Sequence, residues 1–318
     1  MSAEKLQARV HALRCEADDI ISLELHPIGA ENFPPFEAGA HIDLHLPNGM
    51  LRSYSLANSP SERHRYLLGV LKEAGGRGGS RQVHDLRIGT QLAISAPRNN
   101  FPLHELASHS LLVAGGIGIT PILSMARRLK ELGRSAELLY LARSRRSAAF
   151  VEEVQALGLP VTWHFDDQAG GPPDLAAMLR QRGPQGDTHY YACGPGPMLR
   201  AFEETCDALN YTWHLERFAP VEIAPSAAPQ RPYTVDLRKS GKRFEVAPGG
   251  SLRQSLIEHA IAVPFSCCEG VCGSCETKVL EGEPEHRDSV LTKAERESNK
   301  AMMVCVSGCK SEKLVLDL

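Results

Sequence analysis

The run Cys267-x4-Cys272-x2-Cys275, with Cys305 following after 29 intervening residues, constrains this chain more than any other feature. Three thiols must converge within one short loop, and a fourth must arrive from a distant segment. That is the plant-type spacing of a [2Fe–2S] centre, in which four thiolates hold two irons. The filler suits the chemistry. Gly270 and Gly273 let the backbone fold closely around an inorganic core, while Ser266, Ser274 and loop N–H groups offer hydrogen bonds to sulfur. The competing reading is a zinc knuckle, which usually pairs one C-x2-C with another, and no second such pair exists. Cys268 and Cys309 are the rival ligands, although using Cys268 shortens the first spacing to x3.

The bulk numbers bound the rest. A chain of 318 residues accommodates two or three domains. Its 42% hydrophobic and 23% charged content is ordinary for a globular protein. A formal net charge of −3 argues against nucleic acid or an anionic membrane as partner. No apolar run approaches the roughly 20 residues of a membrane span, and the first ten residues hold no signal-peptide core. A cytoplasmic, reducing setting is therefore expected, where clustered thiols favour metal or redox roles over disulfides.

Three grammars follow one another along the chain. Through about residue 103, short alternating runs such as Ile20–Leu25, His41–Leu46, Arg52–Leu56 and Tyr66–Lys72 read as six strands, with Pro47-Asn-Gly49 a hairpin signal and Ser80–Leu86 a helical patch. This predicts a small antiparallel barrel. From about residue 104, apolar strands alternate with helices: Ser110–Ala114, a helix over 122–132, Ala136–Leu141, Val161–Phe165, a helix over 174–182, Thr188–Ala192 and a helix over 198–209. This βαβ pattern predicts a parallel sheet. Ala219–Pro232 carries four prolines in fourteen residues and reads as an extended linker before the cysteine-bearing segment.

Three further motifs carry candidate chemistry. Gly115-Gly-Ile-Gly-Ile-Thr-Pro121 joins a strand to a helix, an arrangement that presents free N–H groups to a pyrophosphate. It is not the standard G-x-G-x-x-G, and Arg143-Ser-Arg-Arg146 stands where an acidic residue is expected. Alone, the loop reads equally well as a plain tight turn. Cys193-Gly-Pro-Gly-Pro197 adds a second strand-end loop in the same sheet, and the two together would bracket one ligand. Arg52-Ser-Tyr-Ser55 combines a phosphate-neutralising arginine with hydroxyls and an aromatic ring, but by itself it reads as a polar strand edge. Gly75-Gly-Arg-Gly-Gly-Ser80 opens the short helix, with Lys72 and Arg77 nearby; a surface loop is the plain alternative.

The order of these motifs, with His214-Leu-Glu-Arg-Phe218 between them and the cysteines, resembles the phthalate dioxygenase reductase family, which includes the vanillate O-demethylase reductases. The resemblance spans essentially the whole chain. It implies a multidomain α/β and β architecture: a flavin-binding antiparallel β-barrel (1–103), a ferredoxin-reductase-like parallel α/β NAD domain (104–219), a Pro-rich linker (220–231) and a C-terminal β-grasp [2Fe–2S] ferredoxin domain (232–318). On that resemblance Arg52, Ser53, Tyr54 and Ser55 would line FMN, Val70, Leu71 and Lys72 would follow its edge and ribityl chain, and Gly78, Gly79 and Ser80 would hold its phosphate. Gly116, Cys193, Gly194 and Pro195 would border NAD, with Arg143 and Ser144 at its adenosine half. Ser55, Thr120, Cys193, Glu216 and Phe218 would stand nearest the hydride path, Thr120 at the flavin–nicotinamide junction and Phe218 over the flavin ring. Cys267, Cys272, Cys275 and Cys305 would ligate iron, and Cys268 departs from the polar residue usual after the first ligand.

The implied activity is an NADH-dependent electron transfer through FMN and the cluster to a Rieske-type aromatic oxygenase or O-demethylase in aromatic catabolism. The basic segment Arg143/Arg145/Arg146 leaves NADPH open. A reductase for a cytochrome P450 or another acceptor is the alternative, and a zinc or thiol module the non-enzymatic one. Glu269, Glu276, Glu281, Glu283 and Glu285 would offer an acidic docking face, with a plain solvated surface equally consistent. His11, His41, His45, His84, His104 and His109 show no metal-type grouping along the sequence.

Overall fold

The computed structural model describes residues 5–220 and 231–318, so most of the expected linker lies outside the described residues. These fall into two compact units, one ending at Phe218 and the other starting at Ala219.

The first unit begins with six strands: β1 (Leu6–Ala17), β2 (Ile20–Pro27), β3 (His41–His45), β4 (Leu51–Ser55), β5 (Tyr66–Leu71) and, after helix α1 (Gly79–His84), β6 (Gln91–Ile94). They pair in the order β4-β3-β6-β1-β2-β5, all antiparallel. The outer strands meet through a bridge between Leu56 and Leu68 and a hydrogen bond from Ala57 N to Leu67 O (2.8 Å), which closes the sheet into a barrel. Ala8, Val10, Leu23, Leu25, Ile42, Leu44, Leu68, Val70, Leu92 and Ile94 fill its interior. Five of the six strands contribute alternate residues to this set, so a one-residue slip of any of them would expose its share. At roughly 1.5–3 kcal/mol per large apolar side chain, the register is firmly fixed.

The same unit continues with β7 (His109–Gly115), α2 (Ile119–Glu131), β8 (Ser135–Ala142), α3 (Val151–Ala156), β9 (Val161–Phe165), α4 (Asp166–Ala169), α5 (Leu175–Gln181), β10 (Thr188–Cys193), α6 (Gly196–Ala208) and β11 (Thr212–Glu216). The strands form a parallel sheet in the order β11-β10-β7-β8-β9. Leu112 and Ala114 join the core shared with α2, whereas Leu111 and Val113 join the one beneath α5 and α6. Burial on both faces explains why these strands read as unbroken apolar runs. Both helices after the glycine loops begin earlier than the apolar pattern suggests, at Ile119 and Gly196. Pro121 and Pro197 sit in first turns, where a missing N–H costs nothing.

Asn58 ties the barrel to α2. Its buried amide donates to Ser59, Glu62 and Arg65 carbonyls and accepts from Leu67 N, while its own carbonyl accepts from the Ser124 hydroxyl at 2.9 Å. Arg127 reaches the neighbouring Ala57 carbonyl at 2.9 Å.

The second unit holds β12 (Tyr233–Leu237), β13 (Arg243–Val246), α7 (Leu252–Glu258), β14 (Glu276–Glu281), β15 (Pro284–Glu285), α8 (Lys293–Ser298), β16 (Ala301–Met303), β17 (Gly308–Cys309) and β18 (Lys313–Leu316). Its main sheet runs β13-β12-β18-β14-β16, with β12 and β18 parallel at the centre, a β-grasp arrangement. Among the described residues no helix is long and apolar enough to cross a membrane.

Candidate redox sites

At the carboxyl edge of the parallel sheet the two glycine loops touch. β7 ends at Gly115, a single 3-10 turn spans Gly116–Gly118, and α2 follows. A Cβ on Gly115 would lie 2.7 Å from Pro195 Cδ, and one on Gly194 would lie 3.0 Å from Gly115 Cα. A Cβ on Gly118 would collide with the Cys193 carbonyl. Only glycines permit this approach, and Gly116 adds a left-handed turn at φ 54°. Cys193 is fully buried, and desolvation holds its thiol well above the ordinary range. Thr120 is buried too; its hydroxyl donates to Ile117 O (3.1 Å), and its methyl packs on Gly69 of β5.

Arg52, Ser53, Tyr54 and Ser55 lie on β4. Arg52 lies directly over Gly79, at the start of α1, where any Cβ would strike its side chain. Gly78 caps that helix at φ 89°, and the Arg52 guanidinium donates to Leu51 O (2.8 Å) and lies 3.3 Å from Met50 Sδ. Ser53 donates to Asp43 (2.6 Å), whose carboxylate also pairs with Arg98 (2.8 Å). The Tyr54 ring packs against the barrel core, and burial pushes its hydroxyl up to about 12. Val70 turns its side chain into the barrel, and its carbonyl faces His84 Nε2 at 2.9 Å. Leu71 is half-buried and packs against the core shared with α2, while Lys72 is exposed, its N donating to Asp19 O (2.8 Å). Ser80 accepts from Glu73 N at 3.0 Å.

Barrel and sheet meet at Glu216. This residue ends β11 directly beside Cys193, and Ser55 Oγ donates to its Oε2 at 3.3 Å. Desolvation pushes the carboxyl up to about 8, the Ser55 hydroxyl pulling the other way. Two residues on, Phe218 leaves 40% of its surface exposed.

At the far end of β8, Arg143 is exposed, and its carbonyl accepts from Asp167 N (3.0 Å). Ser144 and Ser147 cap each other. Arg143, Arg145 and Arg146 are all exposed, and among the described residues Arg146 is the one paired with a carboxylate, Asp18 at 3.2 Å.

In the second unit the four sulfurs fall into two pairs. Cys272 is drawn below the ordinary thiol range by the Cys267 thiol and by Ser274, whose hydroxyl lies 3.3 Å away. Cys305 is lowered likewise by Cys275. Glu269 N donates to Cys267 Sγ at 3.3 Å. The loop reaches this shape through left-handed residues at Cys268, Gly270 and Gly273. Gly270 is obligatory on space as well, since a Cβ there would lie 2.9 Å from Asp288 Cα. Cys309 is turned to other partners, with Sγ on Ser311 O at 3.1 Å.

Residues 235–310, which contain all four cysteines, match the "2Fe-2S iron-sulfur cluster binding domain", and residues 112–204 match the "Oxidoreductase NAD-binding domain". The phenoxybenzoate dioxygenase subunit beta of Ectopseudomonas oleovorans is 46% identical over 312 residues, covering 98% of this chain and 96% of the relative. The solved structure of phthalate dioxygenase reductase aligns over 99% of this chain and 98% of its own, at 38% identity and a TM-score of 0.70. The chain belongs to the phthalate dioxygenase reductase family. A type IV self-sufficient cytochrome P450 monooxygenase also aligns over 99% of this chain, with a TM-score of 0.90 and 36% identity, and this chain spans 41% of that protein.

As a member of this family the chain is an oxidoreductase with NAD-binding and [2Fe–2S] domains, and some of its features were invisible in sequence. Gly69 admits Thr120 and Phe150. Asp166 and Asp167 follow β9 next to Arg143, because β9 pairs with β8. The acidic face is mixed rather than acidic: Glu281, Glu283 and Glu285 pair with Lys313, Lys310 and Arg287. The histidines also differ from expectation. Folding gathers His11 with Glu24 and His26, and His104 with Asp187 and His189, partners remote in sequence. Burial and neighbouring imidazoles hold His214, beside His189, down to about 4.

Proposed function

We propose that this chain is the NADH-oxidising reductase component of a Rieske-type aromatic oxygenase or O-demethylase, carrying FMN in its first unit. The carrying observation is two prepared sites on one chain: touching glycine loops beside an arginine–helix cradle, and two sulfur pairs. Bound FMN would supply an acceptor that takes a hydride and releases electrons singly, and a [2Fe–2S] cluster one that takes them one at a time.

The chain's residues bind and orient. Arg52 with Gly78–Ser80 would neutralise the flavin phosphate, and the close fit of Arg52 over Gly79 supports that role. Ser55, Tyr54 and Phe218 would border the ring. Gly116, Cys193, Gly194 and Pro195 would hold the nicotinamide half, Thr120 standing between, with Arg143 and Ser144 toward adenosine. With Arg146 engaged by Asp18, two arginines remain for a 2′-phosphate, and the NADH-to-NADPH ratio of kcat/KM reads that choice. Cys267, Cys272, Cys275 and Cys305 would ligate iron, two sulfurs to each metal.

Glu216 would hold a proton at its carboxyl. Its value near 8 leaves it neutral at pH 7, and the neutral form is lost as pH rises through 8. Hydride transfer from NADH should therefore decline above pH 8, and Glu216→Gln should flatten that limb while retaining activity at pH 7. Fold stability should fall as pH rises from about 4.5 to about 8, below the activity limb, because the folded value is the higher one. An unchanged limb in Glu216→Gln would remove the residue from the hydride path.

Anaerobic titration with NADH tests the whole reading. Bleaching of flavin absorbance followed by the EPR signal of a reduced cluster supports it; bleaching with no such signal defeats the internal relay. The high structural similarity to the self-sufficient cytochrome P450 monooxygenase favours one second reading, a P450 as acceptor. Turnover with a Rieske oxygenase against turnover with a P450, driven by the same reduced protein, separates the two.

A further inference from the structure

A second, separate site lies at the amino-terminal end of the parallel sheet. His189 is the second residue of β10, four residues before Cys193, and so roughly 13 Å from the nucleotide edge at about 3.3 Å per residue. Around it stand His104 from the barrel-to-sheet connection, Asp187 from the turn before β10 and His214 from β11. One ligand atom each from His104, Asp187 and His189 lies within 4.8 Å of the other two. We propose that these three residues form a divalent transition-metal site, with Zn2+ or Cu2+ as fitting ions.

Four observations carry it. The donor set is two imidazoles and one carboxylate, a combination that favours zinc or copper over magnesium or calcium. His214 Nε2 lies 2.9 Å from His189 Nδ1. When Nδ1–H donates across that contact, Nε2 of His189 presents its lone pair on the side of Asp187, whose Oδ1 is 3.4 Å away. Such an outer partner orients a ligating histidine. The two surface contributors are anchored by backbone: His104 N donates to the Tyr191 hydroxyl (2.8 Å), and the Asp187 carbonyl accepts from Ser108 N and Oγ (both 2.9 Å). Finally, among the described residues no lysine or arginine pairs with Asp187, so its charge is available to a cation.

The ligand atoms must close to roughly 3.4 Å for metal–ligand bonds of about 2.1 Å. His104 and Asp187 are both exposed and are able to swing. His104 now stacks on His189 with centroids 4.5 Å apart, so rotation of its ring brings a nitrogen inward. The His11–Glu24–His26 group is the weaker candidate, because Arg65 already neutralises Glu24 at 2.8 Å. A bound ion would clamp the connection onto the sheet while leaving the nucleotide edge untouched.

The test uses the full chain with its iron content verified, so that the four cysteines are occupied. Zn2+ titrated by calorimetry should bind at one equivalent. Cu2+ added to the oxidised protein, whose cluster is EPR-silent, should show superhyperfine coupling to two imidazole nitrogens. His104→Ala and Asp187→Asn, both at exposed positions, should each weaken Zn2+ at least tenfold, and His214→Gln roughly 10–100-fold, with NADH oxidation unchanged. His26→Ala should leave binding as it was. The proposal is overturned if Zn2+ does not bind at millimolar concentration, if His104→Ala and Asp187→Asn bind it like the parent, or if binding follows His26 instead.

Discussion

Cys305→Ala should yield protein with almost no iron or acid-labile sulfide, no EPR signal after reduction, and near-complete loss of electron delivery to a partner oxygenase. The reason is chemical and structural at once. Cys305 is buried between β16 and β17 and pairs with Cys275. On the proposed ligand set, removing it leaves three sulfurs for two irons, and cluster ligation contributes directly to the fold around it. The first unit has its own apolar cores among the described residues. NADH-driven reduction of ferricyanide, which can draw electrons before the cluster, should therefore persist within about twofold, an estimate resting on domain independence. Cys309→Ser is the matched control, since Cys309 Sγ is already bonded to Ser311 O. Cys268→Ser is the sharper one. Its thiol meets the Ser266 carbonyl at 3.8 Å, so serine there should keep the cluster. Iron retained in Cys305→Ala but lost in Cys268→Ser would show that the ligand set is wrong.

How much was legible depended on whether a feature is local. The cysteine spacing, the period-two runs of the barrel and the apolar strands of the sheet each sit within a few residues, and each could be read directly. Pro121 and Pro197 misled only the helix starts, because a proline marks a break in mid-helix and a welcome residue in the first turn. No individual strand of the second unit was read from the sequence, where only the resemblance pointed to a β-grasp; β15 and β17 have two residues each, and β16 three, too short for any period. Long-range features were illegible. Nothing near Glu216 in sequence announces Ser55, which lies 161 positions away. Nothing near Gly69 announces Thr120, and nothing in the spacing of His104, Asp187 and His189 suggests a cluster. The grouping of His104 was illegible for this reason, since the parallel sheet assembles its contacts across strands.

Gly118→Ala isolates the contact between the two glycine loops and should have a large effect for so small a change. Gly118 has φ −60°, a conformation any residue adopts, so the backbone raises no objection to alanine. The obstacle is the Cys193 carbonyl, with Gly194 N only 2.8 Å from the new Cβ. Both are main-chain atoms at the end of a fully paired strand, so no flexible side chain can yield. The loops must separate by about an ångström, and a displacement of that size near a reacting centre costs on the order of 100-fold in rate. Hydride transfer from NADH, followed by stopped flow, should fall by about that factor, with an overpacking cost of about 1–3 kcal/mol. At about 2–4 °C per kcal/mol for a unit of this size, the melting temperature should drop by several degrees. A stability loss alone would mimic part of this, so Gly133→Ala serves as the comparison. Gly133 follows α2 at φ +63° with open space around it, and alanine there should cost about 1–2 kcal/mol from backbone strain. That variant should lose melting temperature yet oxidise NADH at the parent rate. Equal rates in Gly118→Ala and Gly133→Ala would mean that the touching loops stabilise the sheet without positioning the nicotinamide.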